Sequence, residues 1–212
     1  MDRRARLAQA RLYFIADATA VGETLRAALA GGVDVFQLRE KGLGDSPLLY
    51  AADAARELCT QAGALFVVND RPDCAVSADA DGVHVGQDDV SVAAARRVVG
   101  DDRLVGLSTH SPEQIDAADG ADYLGVGPVH ATPTKAGRPA VGLELVRYAA
   151  AHARVPWFAI GGLNEGTLAP VLAAGAGRAS VVRAIAEADD PERAARTLKD
   201  MLSEADLGAA RA

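Results

Sequence analysis

Two carboxylates and three basic side chains, set at separate points of this 212-residue chain, suggest the chemistry of a metal-bound polyanion. Arg39, Lys41 and Lys135 can neutralise clustered negative charge. Asp70 and Asp89 offer the hard oxygen ligands that Mg²⁺ takes together with water and substrate phosphate oxygens. A diphosphate carried on a divalent cation satisfies both sets. A second group, Gly161-Gly162 and the backbone around Val182 and Arg183, offers exposed N–H groups of the kind that hold a monophosphate. Each group alone has a plainer explanation. Asn69-Asp70 can cap a helix, Arg39-Glu40-Lys41 can be a solvated face, and a glycine pair can simply permit a tight turn. The weight lies in their recurrence at equivalent points of a repeating pattern.

That pattern is an alternation of strands and helices. Short apolar runs recur at Leu12–Ile15, Val33–Leu38, Ala64–Val68, Gly82–Val85, Leu104–Leu107, Tyr123–Val126, Trp157–Ile160 and Ala179–Val182. Between them lie alanine-rich segments with helical spacing: Gly22–Ala30, Pro47–Gln61, Val92–Val99, Pro112–Ala118, Leu143–His152, Glu165–Ala173 and Pro191–Leu202. Continuous apolar strands followed by amphipathic helices imply a parallel sheet covered by helices, and eight such units suit a closed (β/α)₈ TIM barrel, an α/β fold. Ser46-Pro47, Ser111-Pro112-Glu113 and Asn164-Glu165 read as helix starts. One domain over 1–212 is expected, with a core of about 11–204 and with Met1–Ala10 and Asp206–Ala212 fraying. In such a barrel, reactive groups stand at the C-terminal strand ends. Gln37–Lys41, Asn69–Pro72, Gly86–Asp89, Ser108–His110, Gly127-Pro128, Gly161-Gly162 and Arg183 all follow expected strands. The stretch from Gly127 to Pro139 is long enough to form a lid over them.

Bulk properties narrow the classes of partner. Acidic residues outnumber basic ones by 29 to 22, a net charge of −7, which argues against a nucleic-acid surface and makes any anion site local. No apolar run approaches the roughly 20 residues a membrane span needs, and no signal-peptide core precedes the first strand, so a soluble, cytoplasmic protein is expected. Cys59 and Cys74 lack metal-ligand spacing and read as packing residues. His84 lies inside an expected strand and reads as a residue that packs or makes one structural hydrogen bond, with a substrate contact left open by its place near the barrel mouth. Ser108 lacks the Gly-x-Ser-x-Gly surroundings of a hydrolase nucleophile. Composition sets no oligomeric state.

The ordered set Gln37-Leu38-Arg39-Glu40-Lys41, Asn69-Asp70, Gly86-Gln87-Asp88-Asp89, Thr132-Pro133-Thr134-Lys135 and Gly161-Gly162 closely resembles the thiamine-phosphate synthase family, in register from about Arg11 to the last helix. The resemblance implies a Mg²⁺-dependent transferase acting on two small phosphorylated substrates, the diphosphate of a hydroxymethylpyrimidine and a thiazole phosphate, the latter with or without a 2-carboxylate. It implies that Gln37, Leu38, Arg39, Glu40, Lys41, Asn69, Ser108 and Lys135 bind the pyrimidine diphosphate. By the same resemblance, Asp70 and Asp89 hold Mg²⁺, and Thr132, Pro133, Thr134, Gly162, Val182 and Arg183 bind the thiazole phosphate. Arg39, Lys41, Ser108 and Lys135 would then carry catalysis by stabilising the leaving diphosphate, with no covalent protein nucleophile.

One position departs from the pattern, because the family commonly has serine where this chain reads Arg183. Two rivals also stand. A thiazole tautomerase on the same barrel would need no pyrimidine-diphosphate site, although His130 is a proton-transfer candidate. A non-catalytic sensor would bind without releasing diphosphate.

Overall fold

The structure, a computed structural model, describes residues 2–131 and 139–209, with side chains through 205. Eight parallel strands, β1 (Leu12–Ala16), β2 (Val35–Leu38), β3 (Leu65–Asn69), β4 (Gly82–Val85), β5 (Leu104–Thr109), β6 (Tyr123–Val126), β7 (Trp157–Ile160) and β8 (Ala179–Val181), pair in sequence order. The barrel closes where β8 meets β1, with Tyr13 opposite Ser180. Around it run α2 (Glu23–Ala30), α3 (Asp45–Ala62), α4 (Pro72–Ser77), α5 (Val92–Val99), α6 (Pro112–Asp116), α7 (Gly142–His152) and α8 (Glu165–Ala173). Helix α1 (Arg3–Gln9) precedes β1, and both α9 (Arg183–Ala186) and α10 (Pro191–Ala209) follow β8. The expected TIM barrel is present.

Alternation along each strand builds two cores. Phe14, Phe36 and Phe66 face the helices and are at most 1% exposed, while Tyr13, Val35, Val67, Tyr123 and Phe158 fill the barrel interior. This is why the strands read as unbroken apolar runs: both faces are buried. Cys59 and Cys74 are free and buried against the helix layer, and burial pushes the Cys59 thiol up to about 12, so it packs as an uncharged group.

Several boundaries differ from expectation. Strand β5 runs through Ser108 and Thr109, which therefore belong to the barrel wall and not to the following loop. Asn69 likewise ends β3. Helix α3 begins at Asp45 with Gly44 as its cap, so Ser46 caps nothing, whereas Ser111 and Asn164 do cap α6 and α8.

Residues Arg3–Gln9 form helix α1. Helix α1 covers the end of the barrel where the strands begin, placing Leu7 (2% exposed) and Ala10 among the interior residues. Arg3 pairs with Asp81 at 3.0 Å and Arg4 with Asp122 at 2.8 Å, while Arg178 donates to the Ala8 and Ala10 carbonyls. The last helix runs past the expected Leu202, to Ala209.

Those aspartates have a second task. Asp34, Asp81 and Asp122 each stand one residue before, or just ahead of, an even-numbered strand, and each carboxylate accepts the first N–H groups of the strand before it. Asp34 takes Arg11 and Leu12, Asp81 takes Phe66, and Asp122 takes Val105, at 2.7–2.9 Å. Strand starts that lack a ladder partner are thereby satisfied.

Candidate active site

At the opposite end, the strand C-termini surround a cavity of about 400 Å³. Its floor is the aromatic layer of Tyr13, Tyr123 and Phe158, with rings 5.2–5.9 Å apart, two of the pairs edge-on. Gln37, Arg39, Asn69 and Ser108 project into it from β2, β3 and β5. The pleat decides which residues do so: Gln37 and Arg39 face inward, whereas Leu38 between them is 1% exposed in the helix-facing core. The side chain of Leu38 is thus no part of the cavity wall.

Several hydrogen bonds tie the floor together. Gln37 Nε2 donates to the Tyr13 hydroxyl at 2.7 Å, and the two tyrosine hydroxyls lie 2.9 Å apart. His84 Nδ1 is 3.2 Å from the Tyr123 hydroxyl and its Nε2 is 2.9 Å from Ser108 Oγ. His84 is thus engaged through both ring nitrogens, and it lines the cavity. Burial raises both tyrosine pKa values above the ordinary range, which keeps each phenol protonated.

Beside the cavity, Asp70 and Asp89 come close enough for the Asp89 carboxyl to raise the pKa of Asp70. Burial, followed by the neighbouring Asp89, raises the Asp70 pKa, while Asn69 and Lys41 oppose the rise. The backbone is shaped for this meeting. Asp70 takes the left-handed conformation (φ 61°) and donates its N–H to the His84 carbonyl at 2.8 Å. The Asp89 carboxylate folds back to accept from Gly86 N at 2.8 Å, and a Cβ at Gly86 would stand 2.7 Å from that oxygen. Two crowded carboxyl groups beside a lysine form a donor set of hard oxygens that suits a divalent cation. Among the described residues no cluster of three or more His, Cys, Asp and Glu side chains forms a fuller protein cage.

The far wall is backbone. After β7, Gly161 (φ 109°) and Gly162 (φ 66°) adopt conformations that disfavour side chains, and the carbonyl of Gly161 accepts from His130 N. A Cβ on Gly162 would stand 2.8 Å from the His130 Cβ, so the glycine also allows this close approach. Among the described residues His130 Nε2 is buried without a partner. After β8, Val182 caps the short helix α9, whose first residue is Arg183; both line the cavity, with Arg183 exposed.

Of the residues singled out from sequence, Gln37, Arg39, Asn69, Ser108, Gly162, Val182 and Arg183 thus share one cavity, with Asp70 and Asp89 adjoining it. Lys41 is exposed on the same rim. Glu40 is occupied by its own loop, accepting from Lys41 N, Gly42 N and Ala18 N at 2.9–3.3 Å. Thr132, Pro133, Thr134 and Lys135, and most of the suspected lid, lie outside the described residues. Sequence reasoning passed over Tyr13, Tyr123 and Phe158, because inward-facing aromatics in an apolar run read as ordinary core.

Known proteins match this chain in sequence and in fold. A family model described as thiamine monophosphate synthase matches residues 12–185. Thiamine-phosphate synthase of Thermobifida fusca is 54% identical over 207 residues, covering 94% of this chain and 95% of its own length. That of Saccharopolyspora erythraea is 50% identical, with 94% and 96% covered. The solved thiamine phosphate pyrophosphorylase from Pyrococcus furiosus superposes with a TM-score of 0.86 at 32% identity, over 95% of this chain and 98% of that one. A 3-hexulose-6-phosphate synthase, at 22% identity and TM-score 0.65, shares the fold alone. With the family model spanning all eight strands and the relatives covering nearly the whole chain, this protein belongs to the thiamine monophosphate synthase family and is a transferase.

Proposed function

We propose that this chain condenses 4-amino-2-methyl-5-(diphosphooxymethyl)pyrimidine with a thiazole phosphate, giving thiamine phosphate and diphosphate, and CO₂ as well when the thiazole carries its 2-carboxylate. The observation that carries this reading is the division of one cavity mouth. Cationic and carboxylate groups (Arg39, Lys41, Asp70, Asp89) stand on the β2–β4 side, and glycine backbone with Arg183 stands on the β7–β8 side. Two phosphorylated molecules fit this division, each with its charged end at its own edge and its ring over the aromatic floor.

Bond breaking is dissociative in this proposal. The C–O bond to the diphosphate breaks with its electron pair leaving on oxygen, and the electron-rich aminopyrimidine bears the methylene cation. The thiazole nitrogen then attacks that carbon. Arg39 and Lys41, joined by Lys135, stabilise the charge that grows on the leaving oxygen, an effect strengthened in a partly water-excluded cleft. Asp70 and Asp89 would hold Mg²⁺, which when bound supplies further positive charge to the diphosphate. Asn69 favours the charged form of Asp70. Ser108 acts as a hydrogen-bonding group and not as a nucleophile. Gly162, Val182 and Arg183, with Thr132 to Thr134, hold the thiazole phosphate so that its nitrogen faces the cation.

Incubation with both substrates and Mg²⁺, following thiamine phosphate and diphosphate together, tests the reading. Equimolar formation of the two, abolished by EDTA, is expected. A folded protein that binds each substrate and forms neither product would overturn it in favour of tautomerase or sensor.

A further inference from the structure

The hydrogen bonds under the cavity form a continuous run from Gln37 through Tyr13, Tyr123 and His84 to Ser108, crossing the barrel from β2 to β5. Its members are well buried: Gln37, Tyr13 and Tyr123 are each 1% exposed and His84 is 8% exposed. Gly106 on β5 makes the room. A Cβ there would stand 2.2 Å from Tyr123 Cζ and 2.5 Å from His84 Nδ1, so any larger residue would break the run at its centre.

The hydrogens along this run can be counted. Both phenols remain protonated in their buried setting, so each has a single hydrogen to give. Gln37 gives an amide hydrogen to Tyr13, whose own hydrogen then has the Tyr123 oxygen as its acceptor. With the Gln37 amide nitrogen facing Tyr13, the opposite sense would leave the Tyr13 hydrogen buried without an acceptor, which native interiors avoid. Tyr123 in turn donates to His84 Nδ1, which accepts as the bare nitrogen of the ring. The ring proton therefore sits on Nε2 and is donated to Ser108 Oγ, and the Ser108 hydrogen turns into the cavity.

We propose that Gln37, Tyr13, Tyr123 and His84 are positioning residues that fix the Nε2–H tautomer of His84 and so hold Ser108 as an obligate hydrogen-bond donor to an acceptor atom of the bound substrate. A hydroxyl oriented in advance needs no reorganisation when the substrate's charge changes. It also rejects a ligand that presents a donor at that point, since two hydrogens would meet there. The link to substrate rests on the condensation proposed above, whereas the tautomer does not depend on it.

The tautomer is read directly from ¹⁵N ring shifts of His84 at neutral pH, assigned against His84→Gln or, where that variant does not fold, by through-bond correlation in the unaltered protein. A protonated Nε2 and bare Nδ1 are expected. A proton on Nδ1, or on both nitrogens, would overturn the proposal whatever the protein's activity. The second readout is a double-mutant cycle on thiamine phosphate formation. Tyr123→Phe should lower kcat/KM about tenfold with Ser108 in place, the scale of one hydrogen bond, and less than about twofold in a Ser108→Ala background. Equal losses in both backgrounds would show that Tyr123 acts by packing alone and would sink the positioning role. A wild-type protein that makes no thiamine phosphate would end the condensation reading, while the ring shifts would still decide the tautomer.

Discussion

Asp70 and Asp89 illustrate what a single site costs the fold that holds it. Two carboxyl groups meet where like charges repel, and one of them does so from a left-handed backbone conformation. Asp70→Asn keeps the side-chain shape and tolerates φ 61° while removing one charge. Steady-state kinetics with Mg²⁺ should show kcat/KM lower by about a hundredfold or more, and thermal unfolding should show no loss of stability. Turnover at the wild-type rate would remove Asp70 from the metal assignment. Arg183 lies exposed on the cavity wall. Arg183→Ser should raise KM for thiazole phosphate about tenfold with kcat little changed, as expected when one charge-assisted contact is lost. An unchanged KM would mean that the phosphate is held by backbone N–H groups instead.

Elements are locked to one another by acidic residues at the ends of the strands and helices. Asp122 joins three of them, accepting from Val105 N at 2.7 Å on β5 while pairing with Arg4 of α1 and Arg96 of α5. Asp122→Ala should cost about 2 kcal/mol, or roughly 4–8 °C in Tm, by stranding the Val105 N–H and removing one partner of Arg96, with KM unaltered. A Tm within one degree of wild type, measured by calorimetry, would show that the junction carries no load. Asp79, at φ 48° after α4, pairs with Arg56 of α3 and with Arg103 ahead of β5. Arg56, more than Arg103, holds its carboxyl below the usual range. A depressed carboxylate pKa contributes stability above its unfolded value, and that stability is lost as pH falls through the folded value. Wild-type stability should therefore drop more steeply below about pH 4 than that of Asp79→Asn, although the exposed pair contributes under about 1 kcal/mol at neutral pH. Parallel acid titrations of the two proteins, with identical slopes, would refute the linkage. These junctions were half legible: the aspartates stand in plain view before apolar runs, but their partners lie 15 to 118 residues away.

The whole molecule separates its two ends. Closure of eight strands sets a base, sealed by α1 and its arginine pairs, against a mouth that gathers the candidate site. Removing residues 2–9 should lower Tm by several degrees and leave kcat/KM at 25 °C near the wild-type value, because no residue of α1 reaches the cavity. Equal losses of stability and activity, seen by calorimetry beside the kinetic assay, would mean that the two ends are coupled. From sequence alone, the strand–helix alternation set the barrel, and the residues following each strand marked which end carries chemistry. Both are local properties, read from apolar periodicity and from polar residues at the points where it stops. The pairing of Asp70 with Asp89, the turning of Leu38 into the helix layer and the run from Gln37 to Ser108 depended on register and pleat across strands distant in sequence. Helix α1 escaped notice for a related reason: a short polar segment with one fully buried leucine, Leu7, has little signal of its own until the open end of a closed barrel supplies the surface it covers.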